Sequence, residues 1–266
     1  MTERVTKKIF RCLLLLGLLL LVAGAAVPAQ AATTKAAASS GYSGWKTENG
    51  KKRFYVNGKY VKCKLRNVKG NLYYFNKNGY MLTGTHTMKG ITYYFQESGR
   101  LQAYKKGSTY YWPKGGKMSK TDAYDFSTFL TARSIAAKIT TKKMSKSQKL
   151  LKCFKWVMAK YYITKRPFTT AAGWMPLYAN DHFQGKGGTC LSDATAFAYL
   201  AAAIGYTKIY ACLDSRNAGG HAWTEINGKV YDPLFAQAKS FSNNYGVRYG
   251  VYKLSARYKE KMRWVL

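Results

Sequence analysis

A glycine that returns every twenty residues is the feature that most limits how this chain can fold. Gly50, Gly70 and Gly90 keep this spacing, and an aromatic pair follows each of them. The copies read GWKTENGKKRFYVNGKYVK, KLRNVKGNLYYFNKNGYMLT and GTHTMKGITYYFQESGRLQA, and a shortened fourth copy, KKGSTYYWPKGGKMS, follows. Each copy predicts one β-hairpin, made of an aromatic strand, a turn such as VNGK or NKNG and a second short strand. Because a lone hairpin cannot bury its apolar face, we expect the copies to stack into a solenoid over residues 44–120.

These repeats resemble the cell-wall-binding repeats of Gram-positive surface proteins, the family that includes choline-binding and glucan-binding modules. In that family a Gly-Trp start and a later aromatic residue build a ligand cage between hairpins, and in choline-binding members the aromatic faces hold a cation. The resemblance implies Trp45, Tyr74 and Tyr94 as ligand-binding residues. Only the first copy keeps Gly-Trp, which argues against choline. A wall carbohydrate or teichoic polymer is one expected partner, and a cationic spacer whose tyrosines only pack between strands is the alternative.

The amino terminus has the three parts of a secretory signal peptide. A basic start precedes the apolar run CLLLLGLLLLVAGAAV, and PAQAA then places Ala29 and Ala31 around a cleavage site. The run is shorter than the roughly 20 residues that a membrane span needs. We therefore expect residues 1–31 to be removed, with no membrane span left. Residues 32–43 are small and polar and predict a linker. With the repeats, these features predict a secreted protein associated with the cell wall or cell surface.

The charge of the chain is strongly positive. Its 266 residues include 44 Lys and Arg against 11 Asp and Glu, and removal of residues 1–31 leaves a formal net charge of +30. Such a field raises encounter rates with anionic wall polymers, membranes or nucleic acid without selecting one of them. A polyanion-binding protein is therefore one hypothesis. The sequence has no motif for reading bases, so no specific nucleic-acid partner is expected.

Four cysteines remain after the expected cleavage, namely Cys63, Cys153, Cys190 and Cys212. An even number in an exported chain is compatible with two disulfides, and the sequence leaves this open. The spacing contains no CxxC pair and no Cys/His cluster of the zinc type, so we expect neither a metal nor another cofactor. Cys153 lies in a helical pattern and Cys212 in the strand-like run KIYACL, where both are expected to be core residues.

From Thr121 the pattern becomes helical, and we expect a second domain over residues 121–266. TDAYDFSTFLTARSIAAKIT and SKSQKLLKCFKWVMAKYYI have apolar residues at helical spacing. In GKGGTCLSDATAFAYLAAAIGY, Thr189 is a suitable helix cap and Gly205 a suitable stop, which places Cys190 in the first turn. The unpaired backbone N–H groups and the helix dipole at that position favour a thiolate.

The segment HAWTEINGKVYDP supplies the partners of such a thiolate. Asn227-Gly228 is a strong two-residue hairpin signal. Counting outward pairs Ile226 with Lys229, Glu225 with Val230, Thr224 with Tyr231 and Trp223 with Asp232. Because side chains alternate along a strand, His221 and Asp232 share one face as diagonal neighbours. The aspartate can then fix the imidazole tautomer and leave the other ring nitrogen for a thiol.

Cys190, His221 and Asp232 resemble the triad of the transglutaminase-like branch of papain-type cysteine enzymes. The family pattern of Gly-x-Cys-x-x-x-Ala, His-Ala-Trp and Asp-Pro is met at Gly188, at His221 and at Asp232 with their neighbours, over roughly residues 145–240. The resemblance implies a catalytic triad and an α+β fold in which the cysteine helix packs against an antiparallel sheet.

The implied reaction is attack of the thiolate on a peptide or glutamine-type amide of a peptide or protein substrate. The thioester then passes to water in a cysteine peptidase or amidase, which we favour, or to an amine in a cross-linking transglutaminase. An inactive wall-binding scaffold is the third possibility. An oxyanion hole is also needed, and Gln184, expected in a loop six residues before the cysteine, is one candidate beside the Cys190 N–H. His182, in the same expected loop, either lines the cleft or makes a structural hydrogen bond.

Overall fold

The computed structural model describes residues 41–185, 187–215 and 219–264. The expected signal peptide and most of the expected linker lie outside the described residues. Two compact units divide between Leu82 and Thr83. The described residues form a mixed α and β structure with four small antiparallel sheets and one parallel strand pair. Among these residues, no helix combines the length and the apolar character that crossing a bilayer requires.

The first unit contains two copies of the repeat. Its strands are β1 (Gly44–Glu48), β2 (Lys51–Val56), β3 (Lys59–Tyr60), β4 (Lys64–Val68) and β5 (Asn71–Phe75). Strands β1, β2 and β3 form one sheet, and β4 pairs with β5. The Trp45 ring lies 5.2 Å from that of Phe54 in its own copy and 4.9 Å from that of Tyr73 in the next. The two copies therefore share an aromatic core, as stacking of repeats requires.

The turns of the hairpins lie earlier in each copy than the sequence suggested. Each glycine of the twenty-residue period is the second residue of a two-residue turn, and Asn49 and Gly50 have φ angles of 51° and 71°. Positive φ at both positions is the type I′ geometry that suits a tight hairpin and favours glycine. The main hairpin therefore joins the strand that begins each copy to the aromatic strand. The expected VNGK turn is present as well, but it leads only to the short β3.

The second unit begins with the remaining repeats. Its first strands are β6 (Gly84–Met88), β7 (Ile91–Phe95), β8 (Leu101–Lys106), β9 (Thr109–Trp112) and β10 (Gly115–Lys117). They form one continuous sheet in the order β10-β9-β8-β7-β6. The third and fourth copies thus pair edge to edge through β7 and β8 and are not separate hairpins.

Five helices follow in the described part of this unit. They are α1 (Lys120–Ile139), α2 (Lys146–Met158), α3 (Trp174–Gln184), α4 (Cys190–Ala203) and α5 (Pro233–Ala238). The first two confirm the helical patterns, and Ser119 and Ser145 cap them through their side chains. Tyr94 of β7 packs edge to face on Phe126 of α1. The late repeats therefore share a core with the helices, which is why the compact units divide at Leu82 and not at the expected boundary near Lys120.

A second five-stranded sheet supports α4. The remaining strands are β11 (Tyr161–Tyr162), β12 (Gly187–Gly188), β13 (Ile209–Leu213), β14 (Ala222–Ile226), β15 (Lys229–Tyr231), β16 (Tyr245–Val247) and β17 (Tyr258–Lys261). The sheet order is β16-β15-β14-β13-β17. Strands β14 and β15 pair in the register counted from Asn227-Gly228. The Thr224 hydroxyl of β14 donates a 2.7 Å hydrogen bond to the Ala194 carbonyl of α4, which fixes the helix against the sheet.

Candidate active site

Cys190 is the first residue of α4, and two glycines make that position possible. Strand β12 runs beside β11 so closely that a Cβ at Gly187 would lie 1.8 Å from the Tyr161 carbonyl oxygen. A Cβ at Gly188 would lie 2.2 Å from the Cβ of Ser192 in the first turn of α4. Any other side chain would displace the backbone that leads into the helix. The glycines therefore hold Cys190 at the helix start, where the sequence predicted it.

The helix cap differs from the expectation. Thr189 is the N-cap residue, but its side chain makes no capping hydrogen bond. Its Oγ1 is buried and has no hydrogen-bond partner among the described residues. Because a missing cap leaves first-turn N–H groups unbonded, the start of α4 keeps donors next to the Cys190 thiol.

His221 is held on three sides, directly before β14. Its backbone N–H donates to Asp214 Oδ1 at 2.6 Å, and its ring Nε2 donates to Asp232 Oδ2 at 2.7 Å. The Phe235 ring stacks on the imidazole with centroids 3.9 Å apart and planes 12° apart. These contacts fix both the plane of the ring and its tautomer, so Nδ1 is left for Cys190.

Asp232 is fully buried, and both of its carboxylate oxygens accept hydrogen bonds. Besides His221, the Tyr252 hydroxyl donates to Oδ2 at 2.8 Å, and the Phe235 backbone N–H donates to Oδ1 at 3.0 Å. The second bond is the N-cap of α5, whose first residue is Pro233. Three donors compensate the burial of a carboxylate.

Cys190 lies close enough to His221 to affect the pKa of the imidazole. Burial alone would lower the pKa of the imidazole, but hydrogen bonds to Asp232 and to the Cys190 side chain raise the pKa of His221 to about 9. The Cys190 Sγ also lies 3.9 Å from the Gly220 carbonyl oxygen. An imidazole with this pKa is protonated at neutral pH, so it can stabilise a thiolate and supply a proton.

Both residues open onto one cleft of about 280 Å³. Its lining is mostly aromatic, aliphatic or glycine, and Arg166 is the charged residue there besides the reactive pair. That arginine is already paired with Asp181 through two 2.6 Å hydrogen bonds. The lining residues are Tyr162, Thr164, Arg166, Phe168, Tyr178, Thr189, Cys190, Leu191, Gly219, Gly220, His221 and Leu234. The cleft can therefore accept an extended, uncharged segment such as a peptide backbone.

Two residues expected in a loop before the cysteine lie in α3 instead. Gln184 is the exposed last residue of that helix and does not line the cleft, so the structure does not bring it to an oxyanion position. His182 is fully buried against Trp156, with ring centroids 5.5 Å apart. Its Nδ1 lies 3.0 Å from Asp193 Oδ1, but neither ring nitrogen has hydrogen-bond geometry to a partner among the described residues. His182 is thus a buried residue behind the cleft.

The candidate ligand residues of the repeats lie on three different strands. Trp45 packs inside the aromatic core of the first unit. Tyr74 lies on β5 opposite Leu65. Tyr94 is only 8% exposed, and burial raises the pKa of its phenol to about 12. For Trp45 and Tyr94, packing accounts for the contacts observed, and a ligand role stays a prediction.

Sequence reasoning missed several residues that shape the triad. Phe235 could have been found, because Asp-Pro is a helix-start signal and the third residue after an N-cap aspartate donates its N–H to that side chain. Tyr252 and Asp214 had no such signal, since they reach the site from separate loops. Cys153, Cys190 and Cys212 are free thiols. Within the described ranges, no group of three or more His, Cys, Asp or Glu side chains is placed to hold a metal.

Comparison with known proteins finds similarity over part of the chain only. No protein-family model matches this chain, and no curated protein does. Among solved structures, the choline binding domain of Spr1274 in Streptococcus pneumoniae is 37% identical over 23% of this chain and 92% of that one, with a TM-score of 0.21. CbpF, in complex with ipratropium, is 28% identical over 29% of this chain and 27% of that one, with a TM-score of 0.24.

A third similar structure is the multimodular pneumococcal cell wall endolysin from phage Cp-1 complexed with choline. It is 21% identical over 28% of this chain and 24% of that one, with a TM-score of 0.23. The chain thus spans about a quarter of the length of CbpF and of the endolysin. These TM-scores are well below 0.5, so the likeness carries no structural argument. The comparisons give the transglutaminase-like resemblance no support.

Proposed function

We propose that the protein is a thiol enzyme of the cell envelope that hydrolyses peptide or glutamine-type amide bonds, a cysteine peptidase or amidase. The observation that carries the proposal is His221, which is held between the buried carboxylate of Asp232 and the thiol of Cys190 at the mouth of a cleft. A nucleophile, a base and an orienting acid in hydrogen-bond contact are the arrangement that acyl transfer uses.

The proposed reaction has two half-reactions. The Cys190 thiolate attacks the amide carbonyl carbon, and the protonated His221 donates its proton to the leaving nitrogen as the C–N bond breaks. The first product is an amine, and the acyl group remains on sulfur as a thioester. His221, now neutral, takes a proton from water, whose oxygen attacks the thioester and releases a carboxylic acid and the thiolate.

The oxyanion that forms in each half-reaction needs donors beside Cys190. The backbone N–H of Cys190 is one proposed donor, because α4 begins there without a side-chain cap. The Thr189 hydroxyl is a second candidate, because it borders the same cleft and its oxygen has no partner among the described residues. It replaces Gln184, which lies outside the cleft lining.

Two alternatives use the same residues differently. In a cross-linking transglutaminase, an amine takes the place of water at the thioester. In an inactive wall-binding scaffold, the second domain has lost its activity. The similar solved structures include a choline binding domain and a cell wall endolysin, and taken alone they favour the scaffold. The interaction between Cys190 and His221 favours an enzyme.

Mass spectrometry of purified protein incubated with casein and a primary amine separates the three. We expect casein to be cleaved by the wild type and left intact by Cys190→Ala. Addition of the amine to casein would instead identify a transglutaminase. If wild type and Cys190→Ala give the same casein spectra, the proposed enzyme is wrong and the scaffold is favoured.

The wall-associated part of the proposal is tested separately by sedimentation with purified Gram-positive cell walls. We expect the protein to bind walls, as the repeats and the positive charge suggest, and to keep binding at a salt concentration that releases it from duplex DNA. Equal loss from both with rising salt would indicate general attraction to polyanions.

A further inference from the structure

A cavity of about 690 Å³ in the second unit lies away from the Cys190 cleft. It is bounded by α1, by the start of α2, by the end of α4 and by the sheet of late repeats. Neither Cys190 nor His221 borders it. The proposed chemistry of the triad therefore does not use this cavity.

The charged residues at this cavity are mainly basic. Arg133, Lys142, Lys146 and Lys149 border it, and Glu97 is the acidic residue among its lining. Lys146 donates a 2.7 Å hydrogen bond to the Gly205 carbonyl, which holds its ammonium group in place. Among the described residues, no carboxylate lies in ion-pair contact with any of these four cations. The lining of the cavity thus carries a net positive charge.

Arg133 distinguishes the cavity from an ordinary basic surface. Its Nη1 is buried and has no hydrogen-bond partner among the described residues. Burial lowers the pKa of this guanidinium, and the nearby Glu97 opposes that effect. An arginine stays charged in a protein, and a buried charged donor without an acceptor is costly. If a ligand oxygen occupied the cavity, a small rotation of the side chain would let Nη1 donate a hydrogen bond to that oxygen.

The remaining lining suits a phosphate joined to a polyol. Hydroxyl groups of Thr85, Ser134 and Thr141 border the cavity, and small apolar residues form part of its wall. Tyr94 is the aromatic residue there, but it is 8% exposed and packed on Phe126. No open ring is therefore present for base stacking, which single-stranded nucleic acid uses.

We propose that this cavity binds the phosphodiester group of an anionic polyol-phosphate wall polymer, with the fork of Arg133 on the phosphate oxygens. A guanidinium binds phosphate through two parallel N–H bonds, and lysines add point charges. The proposal is independent of the amidase chemistry, and it assigns polymer binding to the helical part of the chain in addition to the repeats.

Titration calorimetry of the full secreted chain with poly(glycerol phosphate) tests this site. We expect Arg133→Gln to raise the Kd by about tenfold or more, as loss of a charge-assisted hydrogen bond predicts. Arg257→Gln removes the same charge at an exposed position and should change the Kd by less than about twofold. Arg133→Lys should fall between wild type and Arg133→Gln because it keeps the charge without the fork.

Two further measurements keep the test decisive. The double variant Lys142→Gln and Lys149→Gln should also weaken binding, and it serves if Arg133→Gln fails to fold. A DNA oligonucleotide of equal charge should bind with a Kd that responds equally to Arg133→Gln and Arg257→Gln. Equal weakening of poly(glycerol phosphate) binding by these two substitutions would overturn the site, as would no binding of that polymer or an Arg133-specific loss of DNA binding.

Discussion

Two histidines in the second unit each lie beside an aspartate, yet their pKa values shift in opposite directions. His221 Nε2 is 2.7 Å from Asp232 Oδ2, and His182 Nδ1 is 3.0 Å from Asp193 Oδ1. The pKa of His221 rises to about 9, whereas burial, helped by the charges of Lys160 and Lys165, lowers the pKa of His182 to about 3. Distance to a carboxylate therefore does not decide the protonation of an imidazole.

The difference lies in what surrounds each carboxylate. Asp232 accepts hydrogen bonds from His221, Tyr252 and the Phe235 backbone N–H. Burial and the charge of Asp232 raise the pKa of Asp193 well above its usual value. The first pair is thus hydrogen-bonded, and its histidine borders the Cys190 cleft. The second pair is buried and lacks such a bond among the described residues.

Replacement of each histidine by glutamine is expected to give the largest contrast. His221→Gln removes the base and proton donor, so amidase activity should fall by about 10⁴-fold or more, as for other nucleophile–base pairs. His182→Gln should keep kcat within about threefold and lower the melting temperature, because it disturbs the packing beside Trp156. Steady-state kinetics and thermal melts of both variants measure this. A comparable loss of activity from both, with both folded, would remove the distinction.

Replacement of each aspartate by asparagine gives the next contrast. Asp232→Asn keeps the shape but removes the charge that favours the imidazolium, so kcat should fall by about 10²- to 10⁴-fold. Asp193→Asn should change kcat by less than about threefold, because Asp193 pairs with His182, which does not border the Cys190 cleft. The same kinetic assay is used. If Asp193→Asn were the more harmful substitution, the assignment of Asp232 to the reactive pair would be wrong.

Two tyrosines sharpen the comparison at the level of single hydrogen bonds. Tyr252→Phe removes one hydrogen-bond donor to Asp232. We expect the free energy of unfolding to fall by about 1–2 kcal/mol and kcat to fall several-fold. Tyr249 donates to Glu225 at 2.8 Å and not to Asp232, so Tyr249→Phe is the matched control. This variant should lower the free energy of unfolding by a similar amount in urea denaturation and leave kcat unchanged. Equal effects of both variants on kcat would show that Tyr252 does not act through Asp232.

The smallest expected effect is on stability against pH. His221 binds its proton more tightly in the folded state, so its contribution is complete below about pH 6.5 and is lost as the pH rises toward about 9. His182 binds its proton less tightly when folded, so it lowers stability as the pH falls from about 6.5 toward about 3. Urea denaturation of wild type and of the two glutamine variants measures the free energy of unfolding across pH. His221→Gln should lose the change expected between about pH 6.5 and 9, and His182→Gln the change expected between about pH 6.5 and 3. Unchanged slopes would contradict the assigned shifts.

The sequence was most informative where one local rule decides the geometry. Asn227-Gly228 forms the two-residue turn that sets the pairing of β14 with β15, and this register brings His221 to Asp232. Gly205 follows the end of α4 with a φ of +91°, as a helix stop requires. Both features depend on backbone conformations that few residue types adopt, so the residues themselves predict them.

Features that depend on tertiary packing were not predictable. Helix α3 begins at Trp174, and its N-cap residue Gly173 provides no side-chain cap, so no start signal separated the helix from a loop. Tyr252 reaches Asp232 across twenty residues of chain, and no spacing encodes that contact. Each repeat contains two glycine turns, and the sequence alone does not show which of them joins the main strands. The strand pairing shows that the earlier turn does so.

The most direct test of the coupled triad is an NMR titration of the imidazole signals in wild type and in Cys190→Ala. The account predicts that His221 titrates near pH 9 in the wild type, that this pKa falls when the thiol is removed, and that His182 shows no titration between about pH 5 and 10. A His221 signal that titrates near its ordinary value of about 6.5 and does not respond to Cys190→Ala would contradict the account.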